Sequence, residues 1–146
     1  MNTSLRKPGI ALAAATLMIS FLFSGAAMAI APIKVKLNGG QEVPPVKSSA
    51  KGTGKITVGD DRSVSGTVKT SKMKGTAAHI HQGAKGENGP PIITLTTSSP
   101  GEWAVPPGAM LTDEQYQSLK NGNLYINVHS DAHKGGEIRA QLKMKQ

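Results

Sequence analysis

Four histidines are the residues of this chain best suited to chemistry. A single residue separates His79 from His81. In a strand, side chains at this spacing lie on the same face, about 6.6 Å apart. His129 ends a later alternating segment, and His133 follows it in a polar loop. Three or four nitrogen ligands without sulfur suit Cu(II) or Zn(II). If the strands that carry His81 and His129 are neighbours, the sequence predicts a metal site at His79, His81 and His129, with His133 as an optional fourth ligand.

A structural role is the alternative for the same histidines, because a histidine at a strand end can donate to a backbone carbonyl and hold a loop. The chain contains no cysteine, which excludes thiolate ligands, disulfides and cysteine nucleophiles. No serine lies in a nucleophile-elbow pattern, and the spaced glycines Gly83, Gly86 and Gly89 are not followed by Gly-Lys-Ser/Thr. The sequence thus favours binding over catalysis, and no residue is predicted to be catalytic.

The first residues follow the pattern of a secretory signal. Arg6 and Lys7 precede an apolar run over residues 10–23, and Ala27-Met28-Ala29 supplies small residues for cleavage. The run is shorter than the roughly 20 residues that a membrane span needs. We expect a signal peptide at residues 1–29 and a single domain at residues 30–146, with no membrane span in the mature form. Such a protein would be periplasmic or secreted.

The charge of the chain indicates what it could bind. The formal net charge is +8, and the lysines are spread along the chain. Outside the predicted signal the aromatic residues are Trp103, Tyr116 and Tyr125, too few to stack nucleic-acid bases between lysines. Nucleic acid is therefore not an expected partner. A basic surface attracts acidic polymers, so the expected partner is an unidentified protein or an envelope polymer.

Short alternating segments must position the histidines. Residues 124–129 place Tyr125, Asn127 and His129 on one face and apolar residues on the other. Residues 78–81 alternate in the same way, with both histidines on the polar face.

The remaining patterns define the fold class. Thr112 and Gln115 form a capping box, which predicts one short helix near residues 112–121. Residues 98–108 are rich in proline and glycine and are predicted to be irregular. Five to seven short strands with one helix indicate an all-β fold: an antiparallel β-sandwich with immunoglobulin-like or superoxide-dismutase-like Greek-key connections.

Four ordered blocks resemble the CHRD domain, the module first described in chordin. They are Gly40-Gln41-Glu42-Val43-Pro44-Pro45, Ala78-His79-Ile80-His81 with its glycine-rich sequel, the segment 122–129, and Gly135-Gly136-Glu137-Ile138-Arg139. The resemblance covers about Ile33 to Leu142. It implies a sandwich-like extracellular module without an established catalytic role, and bacterial members are commonly exported single-domain proteins. Two positions depart from the family pattern: Ala140 replaces a usual glycine, and His133 stands where a polar residue such as asparagine is more frequent.

A looser resemblance links the His-x-His strand and its glycine-rich sequel to copper-zinc superoxide dismutases. The other ligands and the disulfide cysteines of that family are missing here, so the likeness supports copper but not the activity. Three hypotheses follow. The chain is an exported CHRD-type binding module with a Cu(II) or Zn(II) site, a copper-dependent redox enzyme of the superoxide dismutase kind, or a structural or adhesive envelope module whose histidines hold loops.

Overall fold

The computed structural model describes residues 31–144, which form nine strands, one α-helix and a short 3-10 turn at Gly39–Gln41. The predicted signal segment at residues 1–29 lies outside the described residues. Within them, no helix has the length and apolar character needed to cross a membrane. In chain order the elements are β1 (Ile33–Asn38), β2 (Lys51–Val58), β3 (Val64–Ser71), β4 (Gly75–Gln82), β5 (Pro91–Thr94), β6 (Thr96–Ser99), β7 (Glu102–Ala104), α1 (Asp113–Lys120), β8 (Leu124–Ser130) and β9 (Ile138–Leu142).

The strands form one antiparallel sheet in the order β5-β4-β8-β9-β1-β2-β3-β7-β6. β5 and β6 lie at opposite ends of this order, yet a single residue, Leu95, joins them in the chain. The sheet must therefore curl until its two ends meet. The result is a nearly closed, sandwich-like all-β fold, which confirms the predicted fold class.

The interior of the curled sheet is aliphatic apart from Trp103. In β1, Ile33, Val35 and Leu37 are buried while the intervening lysines are exposed, as period-two alternation requires. The most deeply buried apolar side chains come from several strands, and burying each contributes roughly 1.5–3 kcal/mol. They include Ile56, Val68, Ile126, Val128 and Ile138.

The predicted irregularity of residues 98–108 is wrong for the first half of the segment. β6 and β7 form a hairpin there, and β7 pairs with β3 so that Trp103 lies opposite Val68. The breaker residues form the turn: Gly101 adopts φ +77°, a conformation that glycine reaches without strain. This hairpin also helps to raise the strand count to nine, above the expected five to seven.

The predicted helix is confirmed at Asp113–Lys120. Its capping box is complete: the Gln115 amide donates to Thr112 Oγ1 at 3.2 Å, and the Thr112 amide donates to Gln115 Oε1 at 2.9 Å. Leu119 is the buried residue of the helix and packs in the common core. The helix delivers the chain to β8, the strand that carries His129.

Candidate metal centre

Three of the four histidines converge because β4 and β8 are neighbours in the sheet. In the antiparallel register His79 lies opposite Asn127, His81 opposite Tyr125 and Ala77 opposite His129. His129 is therefore diagonal to His79 on the same face of the sheet. The core side chains of both strands point to the other face, as the alternation predicted.

The imidazoles are close enough to share one ion. A nitrogen from each of His79, His81 and His129 lies within 4.8 Å of the other two, and His79 Nδ1 is 3.0 Å from His129 Nε2. Two nitrogens at a metal–nitrogen distance of about 2.0–2.1 Å are separated by about 2.9 Å at a right angle and about 3.4 Å at a tetrahedral angle. The three histidines thus could hold a metal ion.

Hydrogen bonds to two loops orient these rings. His81 Nδ1 lies 2.8 Å from the carbonyl oxygen of Gly89, and His129 Nδ1 lies 2.8 Å from that of Lys134. Because a carbonyl oxygen only accepts, each Nδ1 must carry the proton and donate it. In the neutral rings, Nε2 of His81 and of His129 therefore keeps its lone pair, and that of His129 accepts a hydrogen bond from His79 Nδ1 at 3.0 Å. Metal-binding histidines commonly show this arrangement, in which the second nitrogen donates to a backbone carbonyl.

The Nε2 atom of His81 is buried and has no hydrogen-bond partner among the described residues. Burial lowers the pKa of His81, and the hydrogen bond to Gly89 opposes this effect. Burial also lowers the pKa of His79, with further lowering from the neighbouring His129 and His81. Both rings are consequently neutral at neutral pH, the form that binds metals.

Tyr125 connects the histidines to a buried arginine. The His81 ring stacks on Tyr125 with centroids 4.7 Å apart, and the Arg139 guanidinium lies 3.3 Å from the centroid of the same ring. Since β8 lies between β4 and β9, these two groups approach Tyr125 from its two sides. Arg139 also donates to the carbonyls of Glu87 at 2.8 Å and Ala84 at 3.2 Å. The guanidinium thereby fixes the 83–90 loop, whose Gly89 carbonyl holds His81.

A buried carboxyl group borders the centre. Glu42 is 5 % exposed, and burial raises its pKa from 4.5 to about 7, although the Arg139 charge and a hydrogen bond with Asn127 partly oppose the shift. Its Oε1 atom makes no hydrogen bond within the described part of the chain. The sequence patterns did not mark Glu42 or Arg139 as candidate site residues. The position of Arg139 on the outward face of β9 is only a weak indication of a role near the site. The burial of Glu42 depends on how the chain after β1 folds against β9.

The fourth predicted ligand, His133, does not join this group. It lies in the turn between β8 and β9, where its amide donates to the Ser130 carbonyl at 3.1 Å and its own carbonyl accepts from the Ser130 amide at 3.3 Å. The structure thus brings His79, His81 and His129 together and holds the backbone of His133 in a separate turn.

Comparison with protein families gives a match over residues 33–142 to the CHRD domain, which spans β1 to β9 and all three clustered histidines. Comparisons with curated proteins and with solved structures give no match. The family match covers most of the chain. This protein therefore belongs to the CHRD domain family.

Proposed function

We propose that this protein is an exported CHRD-domain binding module that holds one Cu(II) or Zn(II) ion through His79, His81 and His129. The convergence of three imidazoles carries the proposal. Their nitrogens lie within 4.8 Å of one another, and two of the rings are already oriented by bonds from Nδ1 to backbone carbonyls.

A role limited to holding loops explains only half of this arrangement. The bonds to Gly89 and Lys134 use the Nδ1 atoms and do fix two loops. They leave the buried Nε2 of His81 without a partner, and an unsatisfied buried polar atom costs about 1–3 kcal/mol. A metal ion would satisfy that atom, so the unpartnered nitrogen supports ligand binding over a purely structural or adhesive role.

The donor set narrows the choice of ion. The group contains imidazole nitrogen alone, which suits Zn(II) and Cu(II) better than Mg²⁺ or Ca²⁺. His79 Nδ1 and His129 Nε2 are 3.0 Å apart, a hydrogen-bond distance, and one ion would replace this bond by two metal–nitrogen bonds. A given nitrogen site generally binds Cu(II) more tightly than Zn(II), so Cu(II) is the first ion to test.

Calorimetric titration of the metal-free protein tests the proposal. We expect one Cu(II) or Zn(II) ion to bind per chain. Loss of an outer-shell partner weakens metal binding by up to about 100-fold, so His81→Ala, which removes a ligand itself, should weaken it by at least that factor. His133→Ala is the matched control, since it removes a histidine outside the group, and it should bind as the parent does. Absence of saturable binding, or equal loss in both variants, would refute the three-histidine site.

A copper-dependent redox activity is the second candidate. His79 and His129 are only partly buried, and three protein ligands leave room for a solvent or substrate molecule at the ion. In superoxide dismutation, one superoxide is oxidised to dioxygen, and a second takes that electron and two protons to give hydrogen peroxide. Superoxide decay should be measured with copper-loaded protein, with His81→Ala, and with chelator present to remove free copper. A rate no higher than that of His81→Ala would exclude this activity.

Export is a further part of the proposal, based on the signal pattern at residues 1–29. In a bacterial host, the processed protein should appear in the periplasm or medium with Ile30 as its first residue. N-terminal sequencing of the recovered protein would show this, and retention of residues 1–29 would contradict it.

A further inference from the structure

Lysines that are far apart in the sequence line one continuous groove on the outer face of the sheet. Three adjoining cavities of about 730, 550 and 350 Å³ form it. The first and second share Lys34 and Lys36, and the first and third share Lys85 and Lys143. We call this feature the lysine groove, defined by Lys34, Lys36, Lys55, Lys85, Lys120 and Lys143.

The register of the sheet sets two of these lysines against each other. Lys34 on β1 lies directly opposite Lys55 on β2, and both side chains are exposed. Like charges directly opposite each other on neighbouring strands are destabilising. An anion bound between them would remove that repulsion, so the pair is better suited to a ligand-bound state than to the free protein.

The groove contains little negative charge of its own. Among residues 31–144 the ion pairs join Arg62 to Asp113 and Lys69 to Glu102. Lys69 also lines the second cavity, but because Glu102 already neutralises it, it is not one of the six lysines that define the groove. Glu42 lines the first cavity and is the one carboxyl group among the lining residues of the three, and it is buried beside Arg139. The six lysines therefore lie within reach of solvent without a carboxylate partner in the described part of the chain.

The other lining residues indicate the class of ligand. Gln41, Gln141 and Asn123 offer amide groups that can bond to hydroxyls, and none of the three cavities is lined by an aromatic side chain on which a base could stack. The groove crosses four neighbouring strands, β9, β1, β2 and β3, a width of about 15 Å. That extent fits a chain of anionic groups better than a single small anion.

We propose that the lysine groove binds a linear acidic polysaccharide. The cationic lysines neutralise its carboxylate or phosphate groups, and the amides contact its hydroxyls. None of the three histidines lines these cavities, so metal-free protein should bind the polymer.

Polygalacturonate is a suitable probe, and its affinity for metal-free protein can be measured by calorimetry at low and physiological salt. Replacing two groove lysines, Lys34→Gln with Lys55→Gln, should weaken binding by about tenfold or more. Lys47→Gln with Lys74→Gln is the matched control: both residues are exposed, line none of the three cavities, and remove the same charge. The control should change affinity by no more than about twofold, and added salt should weaken binding of the parent protein.

Equal losses in the two double variants would overturn the proposal, because net charge alone would then explain the binding. Unchanged affinity of the groove variant would also overturn it. Neutral dextran should not bind. If a single-stranded oligonucleotide or phosphatidylglycerol vesicles bound more tightly than polygalacturonate, and the groove variant lost that binding, the ligand class would be wrong.

Discussion

The buried carboxyl group of Glu42 should make the protein less stable as pH rises, and Glu42→Gln should remove this dependence. Burial raises the pKa of Glu42 in the folded protein from 4.5 to about 7. The folded state therefore binds more protons than the unfolded state between these two values. By linkage, the contribution of Glu42 to stability is fully present below the unfolded pKa and is lost as pH rises through the folded one.

The size of the effect follows from the shift. Each pKa unit corresponds to 1.36 kcal/mol, so the full shift from 4.5 to about 7 corresponds to about 3 kcal/mol. Partial access of water to the carboxylate reduces this value. We expect the free energy of unfolding of the parent, relative to Glu42→Gln, to fall by about 2 kcal/mol between about pH 5 and pH 8. That is a difference of roughly 10 °C in melting temperature for a domain of this size.

Urea denaturation of both proteins at several pH values measures this difference. The parent alone is not sufficient, because the pKa values of His79 and His81 are lowered and act in the opposite direction. Their contribution is present above the unfolded histidine pKa and is lost as pH falls, so only the difference between the two proteins isolates Glu42. Glu114→Gln, at an exposed position in α1, controls for the loss of one carboxylate. A difference between parent and Glu42→Gln that stays constant with pH would refute the reasoning.

Three further predictions concern the residues around the centre. Arg139→Lys should lower the free energy of unfolding by about 2–3 kcal/mol, because lysine cannot both stack on Tyr125 and donate to two loop carbonyls. The midpoint of urea denaturation measures this loss, and an unchanged midpoint would contradict the prediction. Gly136→Ala should destabilise the folded protein by about 1–3 kcal/mol, since Gly136 has φ +126° and an added methyl group would collide with Glu42. Thermal melts measure this loss, and Gly135→Ala, at a position where the space is open, is the control. Metal affinity should fall as pH drops below the lowered pKa values of His79 and His81, because a protonated imidazole does not bind metal. Competition titrations over this pH range would detect the fall, and an affinity that does not change with pH would argue against histidine ligands.

Local patterns in the sequence predicted most of the elements and their faces, but not the β6–β7 hairpin. The alternation in 124–129 correctly put Ile126 and Val128 inside and His129 on the other face, and the Thr112 capping box marked the helix. These features depend on neighbouring residues only, through side-chain period and backbone hydrogen bonds. The pairing of β4 with β8, which brings the histidines together, depends on chain topology. The sequence could therefore predict the metal site only on the condition that these two strands are neighbours.

The features that the sequence did not reveal arise from pairing between distant segments. The rest of β1, the connection over residues 39–50 and the start of β2 separate Lys34 from Lys55, and only the register of β1 with β2 places the two side by side. Glu42 follows an exposed glutamine and precedes prolines, a context typical of a solvated loop, yet it is buried beside Arg139. Burial of a charged side chain is set by tertiary packing, for which the local sequence carries no period or cap.

The single-residue link at Leu95 also bears on how the protein resists self-association. Strands at the edge of a sheet expose unpaired amides and carbonyls, to which a second chain can add and start aggregation. Here β5 and β6 are the two edge strands, each has four residues, and β6 consists of exposed threonines and serines. The Leu95 amide between them is already bonded to the Ala78 carbonyl at 2.9 Å. The described part of the chain therefore offers a neighbouring copy only edges of four residues, one of them polar throughout.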